Sequence, residues 1–313
     1  MRKAALFLCL ALNCVYEATA RTSVWIDTDP AIGPPWREVD DAFALLLAFH
    51  SPEVRIAGIS STYGNVGLTR TTTVARDLAR RFGRPARLTA SNVYAGASSP
   101  SDTTKRTAAT DALAAALRRT RLTYVALGPL TNLAAFLNLY PELSGRIERV
   151  IFVGGRSPGQ QLTFGPTGSL RVHDANVFKH PAAAAAVLRS SIPIVLAPVE
   201  ISSQLALTRE DLRRLRASGP AGDYLFRRTR IWLWFWTSFV REKGAPVFDV
   251  LAILPAIQEG LLVTEERFAK LDARSDLVAH RKREHGSKPV RFGGAVRPNT
   301  KALVVRRLQR RAP

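Results

Sequence analysis

Cysteine is nearly absent from this chain: 313 residues carry two, Cys9 and Cys14, both within the first twenty. Once that segment is removed, the rest has no thiol, no disulfide and no cysteine-ligated metal. Histidine is scarce too. His50, His173, His180 and His285 stand alone, and His280 lies in the basic run 279–288, expected as a solvated loop. A histidine metal site is therefore not expected. Past the leader, no apolar run is long enough to span a membrane. Repeats and low-complexity segments are missing, apart from the alanines 182–186, which are good helix formers. Acidic side chains are outnumbered, 25 against 45 basic, for a net charge of +20. Such an excess can serve nucleic acid or an anionic membrane. Here the runs Arg80-Arg81, Arg213-Arg214 and Arg227-Arg228 are short and dispersed, as on amphipathic helices. Nucleic acid is not expected as a partner, and the tail Arg306-Arg307 to Arg310-Arg311 is the one dense cluster.

What is present begins with a leader. Arg2-Lys3, the apolar residues 4–15 and Ala18-Thr19-Ala20 have the charged, apolar and small-residue regions of a secretory signal peptide. Its apolar part is too short to span a bilayer. Cleavage after Ala20 leaves Arg21 first and sends the protein to a periplasm or the exterior. Lipidation at Cys9 or Cys14 is the alternative, and Asn13 is a poor neighbour for it. Residues 21–313 are expected to form one catalytic domain, with 46% apolar residues enough for a sizeable core.

The mature chain is organised around residues 23–49. The apolar run Val24-Trp25-Ile26 delivers Asp27-Thr28-Asp29 and stops at Pro30. Asp40-Asp41 then open an alanine- and leucine-rich stretch of helical period. Further strands are expected at 54–60, 87–90, 122–127, 150–153 and 192–197. Helices are expected at 68–82, 108–120, from Thr131-Asn132 to before Pro141, at 181–189, and over 208–240 with a break near Gly219-Pro220. Loops are expected at 92–100 and 156–171. Strands alternating with helices predict an α/β fold, an open and mostly parallel sheet with helices on both faces.

Asp27, Asp29, Asp40 and Asp41 thus fall where a strand ends and a helix begins, the usual crevice of such a sheet. One aspartate capping the helix would be ordinary. Two pairs flanking one turn exceed what capping needs, because clustered like charges are costly unless a cation or proton offsets them. Oxygen-only ligands indicate a hard cation, and several carboxylates favour Ca²⁺ over Mg²⁺.

At this point DTDP…DDAFAL resembles the N-terminal signature of the inosine–uridine-type nucleoside hydrolase family, DxDPGxDDAxAL. Ala31 stands where the family has glycine, and residues 33–39 form an insertion. Further matches follow in order: Gly64-Asn65, Tyr94-Ala95-Gly96, Gly128-Pro129-Leu130-Thr131-Asn132, Gly154-Gly155, His173-Asp174-Ala175-Asn176 with Pro181, and Pro246-Val247-Phe248-Asp249. The resemblance implies a nucleoside-hydrolase-like, Rossmann-like core, one bound Ca²⁺ and hydrolysis of an N-glycosidic bond to ribose and free base. It implies Asp29, Asp41, the Leu127 carbonyl and Asp249 as metal ligands, with Asp29 also taking the proton from a water. Asp40, Asn65, Asp174, Asn176 and Asp249 would hold the ribose hydroxyls, and Asp27 would orient them from behind. A small-molecule nucleoside is the implied partner, with assembly as a homodimer or homotetramer.

Departures from the pattern fall on the base side. Phe248 replaces a histidine able to protonate the leaving base, Asp174 replaces a longer glutamate, and Thr167-Gly168-Ser169 fall where the family has an asparagine. Residues 98–102 replace a histidine-bearing segment. Trp232 and Trp236, one helical turn apart, either pack the core beside Phe235 and Phe239 or offer a ring for a purine base to stack on. Trp36, in the insertion, either covers its own helix or acts as a lid. Rival readings are hydrolysis of another ribosyl compound and a non-catalytic ribosyl-ligand-binding protein. A haloacid-dehalogenase-like phosphatase would leave Asp40-Asp41, the GPLTN segment and Asp249 unexplained.

Overall fold

The computed structural model describes residues 21–310 apart from 34, 35 and 169. The leader 1–20 with Cys9 and Cys14, Ser169, and Arg311 of the basic tail lie outside the described residues.

The strands are β1 (Thr22–Thr28), β2 (Val54–Ser61), β3 (Val93–Ala95), β4 (Leu122–Ala126), β5 (Ile147–Val153), β6 (Thr163–Phe164), β7 (Leu170–Arg171), β8 (Ile194–Ala197), β9 (Ala206–Leu207), β10 (Ala245–Pro246), β11 (Leu262–Leu271), β12 (Leu277–His280) and β13 (Lys288–Val296). The helices are α1 (Asp40–Phe49), α2 (Leu68–Phe82), α3 (Ala108–Arg119), α4 (Thr131–Leu139), α5 (Ala175–Lys179), α6 (Pro181–Arg189), α7 (Arg209–Ser218), α8 (Pro220–Arg228), α9 (Arg230–Trp234), α10 (Val250–Ile257) and α11 (Thr300–Leu308).

Among the described residues the main sheet has nine strands, in the order β12-β11-β13-β8-β5-β4-β1-β2-β3. All neighbours pair in parallel from β3 to β13, and β11 runs antiparallel between β13 and β12. This is the expected open, mostly parallel α/β sheet. Strand order reverses around β1, which has β2 on one side and β4 on the other, so the C-terminal ends of β1 and β4 border a natural crevice.

Both faces of β1 are buried, which is why its apolar run is continuous rather than alternating. Val24 and Ile26 join a core with α1 and α10, while Trp25 faces a second core with Tyr124 and side chains of α3 and α4. Every residue of α1 is buried, as befits a helix apolar on nearly all sides. Asp40 and Asp41 therefore sit inside the protein at its first turn, where the helix dipole favours negative charge.

Three expectations are corrected. The stretch 156–171 is not wholly a loop, because Thr163–Phe164 and Leu170–Arg171 pair antiparallel as β6 and β7. Residues 87–90 are not a strand: Pro85 starts a 3-10 turn at Arg84–Ala86, and Arg87 closes it with φ 58°, in the left-handed region. Thr89 and Asn92 then cap each other around a second such turn, and the strand follows at Val93–Ala95, inside the expected loop. The basic run 279–288 is not wholly a loop, because Ala279 and His280 end β12. The expected helical stretch 208–240 divides into α7, α8 and α9, breaking at Gly219-Pro220 as expected, and ends in a π turn, Phe235–Phe239.

Candidate active site

Behind the crevice, Asp27 closes β1 from below. Its Oδ1 accepts from Ser60 Oγ at 2.6 Å and from Asn132 Nδ2 at 2.7 Å, and Ser60 in turn accepts from Trp25 Nε1. Asn132 Oδ1 accepts the Ala97 N–H at 2.6 Å. The Asn of GPLTN thus ties the loop after β3 to the end of β1. A Cβ on Gly96 would lie 2.1 Å from that Asn132 oxygen, so the glycine is needed there for close approach. Asp27 is fully buried, and burial pushes its carboxyl up to about 6.

In front of it the other carboxylates converge. Asp41 Oδ1 accepts from Thr28 Oγ1 at 2.5 Å and from the Asp29 N–H at 3.1 Å. Asn65 donates its N–H to Asp29 Oδ2 at 2.7 Å and its side-chain amide to Asp41 Oδ2 at 3.1 Å. Asp249, brought from the N-terminus of α10, gives its N–H to Asp40 Oδ2 at 3.2 Å. Asp40, Asp41 and Asp249 each offer an oxygen within 4.8 Å of the other two.

Such crowding is unfavourable without a counter-charge. Burial first, then the Asp41 charge, lifts Asp29 to about 8, against the pull of Lys179. Asp40 and Asp249 are raised well above the ordinary carboxylate range, again by burial first and then by neighbouring carboxylates. Burial raises Asp41 as well. Asp29 Oδ1 is buried without a hydrogen-bond partner. An orphaned carboxylate oxygen beside three mutually close carboxylates is a donor set that fits a hard cation. Lys179 Nζ, 3.7 Å from Asp29 Oδ2, supplies part of the compensating charge.

A cavity of about 200 Å³ opens over this cluster, with Asp40, Asn65, Leu127, Asp174, Asn176, Trp236 and Asp249 among its walls. Asn176 reaches it from α5, its Nδ2 donating to the carbonyls of Leu127 at 2.8 Å and Val153 at 3.0 Å. Asp174 caps α5: Oδ2 accepts the Gly155 N–H at 2.6 Å and Oδ1 the Val177 N–H at 3.2 Å, with burial lifting it to about 6. Phe248 and Trp236, ring centroids 6.0 Å apart, form an apolar wall with Val153, Val172 and Val199.

The close carboxylate group takes in Asp40, expected as a sugar-holder, and leaves out Asp29, expected as a ligand; Asn65, Leu127, Asp174, Asn176 and Trp236 line the cavity, and Trp232 does not. It turns to Phe43 of α1, centroids 5.9 Å apart, and donates Nε1 to Glu38 Oε2 at 2.9 Å. It borders a neighbouring cavity with Trp36, Ile231 and Phe235. Trp36 is exposed and meets Trp234 and Phe235 edge-on, covering the helix rather than the crevice. Of the histidines, His173 lines the main cavity, and His180 pairs with Thr131 through Nδ1 at 2.9 Å. Glu38 and Lys179 line the cavity without having been expected. The signal for Lys179 was its place three residues after Asn176, on one helical face. Glu38 carried none beyond lying in the insertion.

A family model described as inosine-uridine preferring nucleoside hydrolase matches residues 24–307. An uncharacterised protein of Schizosaccharomyces pombe is 31% identical over 287 residues, covering 81% of this chain and 86% of its own. A probable uridine nucleosidase of Arabidopsis thaliana is 28% identical over 80% of this chain and 82% of its own. In fold, the chain is similar to a plant nucleoside hydrolase, with a TM-score of 0.75 at 23% identity over 92% of this chain and 98% of that one.

Proposed function

The chain belongs to the inosine-uridine preferring nucleoside hydrolase family, and on that premise we propose that it cleaves the N-glycosidic bond of ribonucleosides in this cavity with the help of calcium. The chain is an N-ribosyl hydrolase that acts on ribonucleosides. Asp29, Asp41, Asp249 and the Leu127 carbonyl are the proposed holders of the ion, with Asp40 close enough to share in it. Calcium, when bound, offsets the clustered negative charge and polarises its neighbours as a Lewis acid.

The chain's own residues do the rest. Asp29, whose Oδ1 is buried without a hydrogen-bond partner, takes the proton of the attacking water. Asp40, Asn65, Asp174, Asn176 and Asp249 hold the ribose hydroxyls, which fixes the sugar before reaction. The same carboxylates stabilise the positive charge that grows on the sugar as the bond breaks. Asp27, bonded to Ser60 and Asn132, keeps the strand end in place. Trp236 offers the base an aromatic wall, whereas Phe248 cannot donate a proton to it.

The observation that carries this reading is the meeting of Asp40 and Asp41 with Asp249 from a distant part of the chain, with Asp29 bonded to Asp41 through its N–H. Release of reducing sugar from a panel of nucleosides, with and without a calcium chelator, tests it. No release in either case sinks hydrolysis, and release unaffected by chelation sinks the metal. The apolar wall at Phe248 and Trp236 favours a second reading, another ribosyl compound whose leaving group needs no proton; a 4-nitrophenyl riboside in the panel reports on that. The proposed site of action is outside the cytoplasm, after removal of residues 1–20.

A further inference from the structure

We propose that Glu38, supplied by the insertion at residues 33–39, contacts the leaving base and favours bases that present a ring N–H, and that Trp232 holds it in position. This rests on the hydrolase reading above and adds a specificity residue to it.

Glu38 stands between two cavities. It lines the crevice over the carboxylate cluster and also the adjoining cavity of about 120 Å³ walled by Trp36, Ile231, Trp232 and Phe235. The ribose end of the crevice is taken by Asp40, Asn65, Asn176 and Asp249, so the aromatic-walled side is where a planar heterocycle fits. On that side Trp236 and Phe248 are adjacent walls of the crevice, and neither ring accepts a conventional hydrogen bond.

Among the cavity carboxylates, Glu38 is the one that neither belongs to the close cluster nor is assigned to the ribose. Asp40 and Asp249 belong to the close cluster. Asp174 already accepts the backbone N–H groups of Gly155 and Val177, one on each oxygen, and its remaining capacity is assigned to the ribose. Glu38 takes one hydrogen bond, from Trp232 Nε1 to Oε2 at 2.9 Å. Trp232 is itself fixed against Phe43. A carboxylate tethered at one oxygen retains lone pairs on both oxygens for an incoming N–H, and the tether reduces the freedom lost on binding.

The test compares inosine with 1-methylinosine, which lacks the ring N–H, in the wild type and in Glu38→Ala, Glu38→Gln, Trp232→Phe and the Glu38→Ala/Trp232→Phe double variant. Wild type is expected to favour inosine by about tenfold in kcat/KM, the worth of one hydrogen bond. Glu38→Ala removes that preference, and Glu38→Gln, which keeps one acceptor and guards against misfolding, retains part of it. Trp232→Phe weakens it mainly through KM and adds nothing in the Glu38→Ala background. An unchanged preference in Glu38→Ala, or an undiminished cost of Trp232→Phe in the double variant, overturns the proposal. Should wild type release no ribose from inosine or from any other nucleoside of the panel, the hydrolase reading fails separately. Calorimetric binding of the two ligands to wild type and Glu38→Ala then decides the Glu38 contact by the same ratio.

Discussion

Asn65 donates its backbone N–H to Oδ2 of Asp29 at 2.7 Å, linking the loop after β2 to the end of β1. That bond leaves Asp29 Oδ1 as the oxygen without a hydrogen-bond partner. The approach depends on the residue before: a Cβ on Gly64 would stand 1.8 Å from Asp29 Oδ2.

Gly64→Ala should therefore displace Asp29. A shift of about 1 Å at a reacting group costs about a hundredfold in rate. Steady-state kinetics on a ribonucleoside, with circular dichroism to confirm the fold, check this; wild-type turnover in the variant would show that Asp29 is not held as described.

Asp29→Asn keeps the shape and removes the base. Its kcat should fall by about 10²- to 10⁴-fold, the usual share of acid–base catalysis, with a smaller change in KM. A loss confined to KM would assign Asp29 to binding alone.

Protons and calcium should compete for this site. Asp29, Asp40, Asp41 and Asp249 have folded-state values above the ordinary carboxylate range, with Asp29 near 8. Groups raised on folding contribute stability that is present below their unfolded value, about 4, and lost as pH rises through the folded value. The metal-free protein should thus lose this contribution between about pH 4 and pH 8. Calcium replaces the protons, so its stabilising shift in Tm should grow over the same range. Thermal melts with calcium and with chelator across that range report it, and a shift that shrinks with rising pH would count against the carboxylates as ligands.

Asn132→Ala removes the amide that Asp27 Oδ1 accepts from and leaves the Ala97 N–H without its acceptor. Stranding buried polar groups costs about 1–3 kcal/mol. Urea unfolding should show that loss in the midpoint. An unchanged midpoint would mean that other groups take over both bonds.

Much of this protein is readable along the chain. A strand buried on both faces leaves a continuous apolar run, so Val24-Trp25-Ile26 marks β1, and the carboxylates at its end mark the crevice. Alternation of strands and helices is local, and it was enough for the α/β fold. The strands from β11 onward are harder, because β11 pairs antiparallel beside the edge strand β12 and only three of its ten residues are buried, which weakens the apolar signal. The ordered ends of residues 84–95 were set by Pro85 and by the Thr89–Asn92 cap, turn chemistry that outweighs strand propensity.

Only the tertiary structure decided which side chains share the crevice. Asp249 lies 209 residues from Asp40 and reaches it because α10 packs beside α1. Trp232 and Trp236, one helical turn apart in sequence, part company where the π turn begins at Phe235, its wider repeat rotating the faces. Trp236 goes to Phe164, Phe248 and the cavity; Trp232 goes to Phe43 and Glu38. Residue types and local periods are properties of the chain itself, whereas which distant groups meet depends on how whole elements pack.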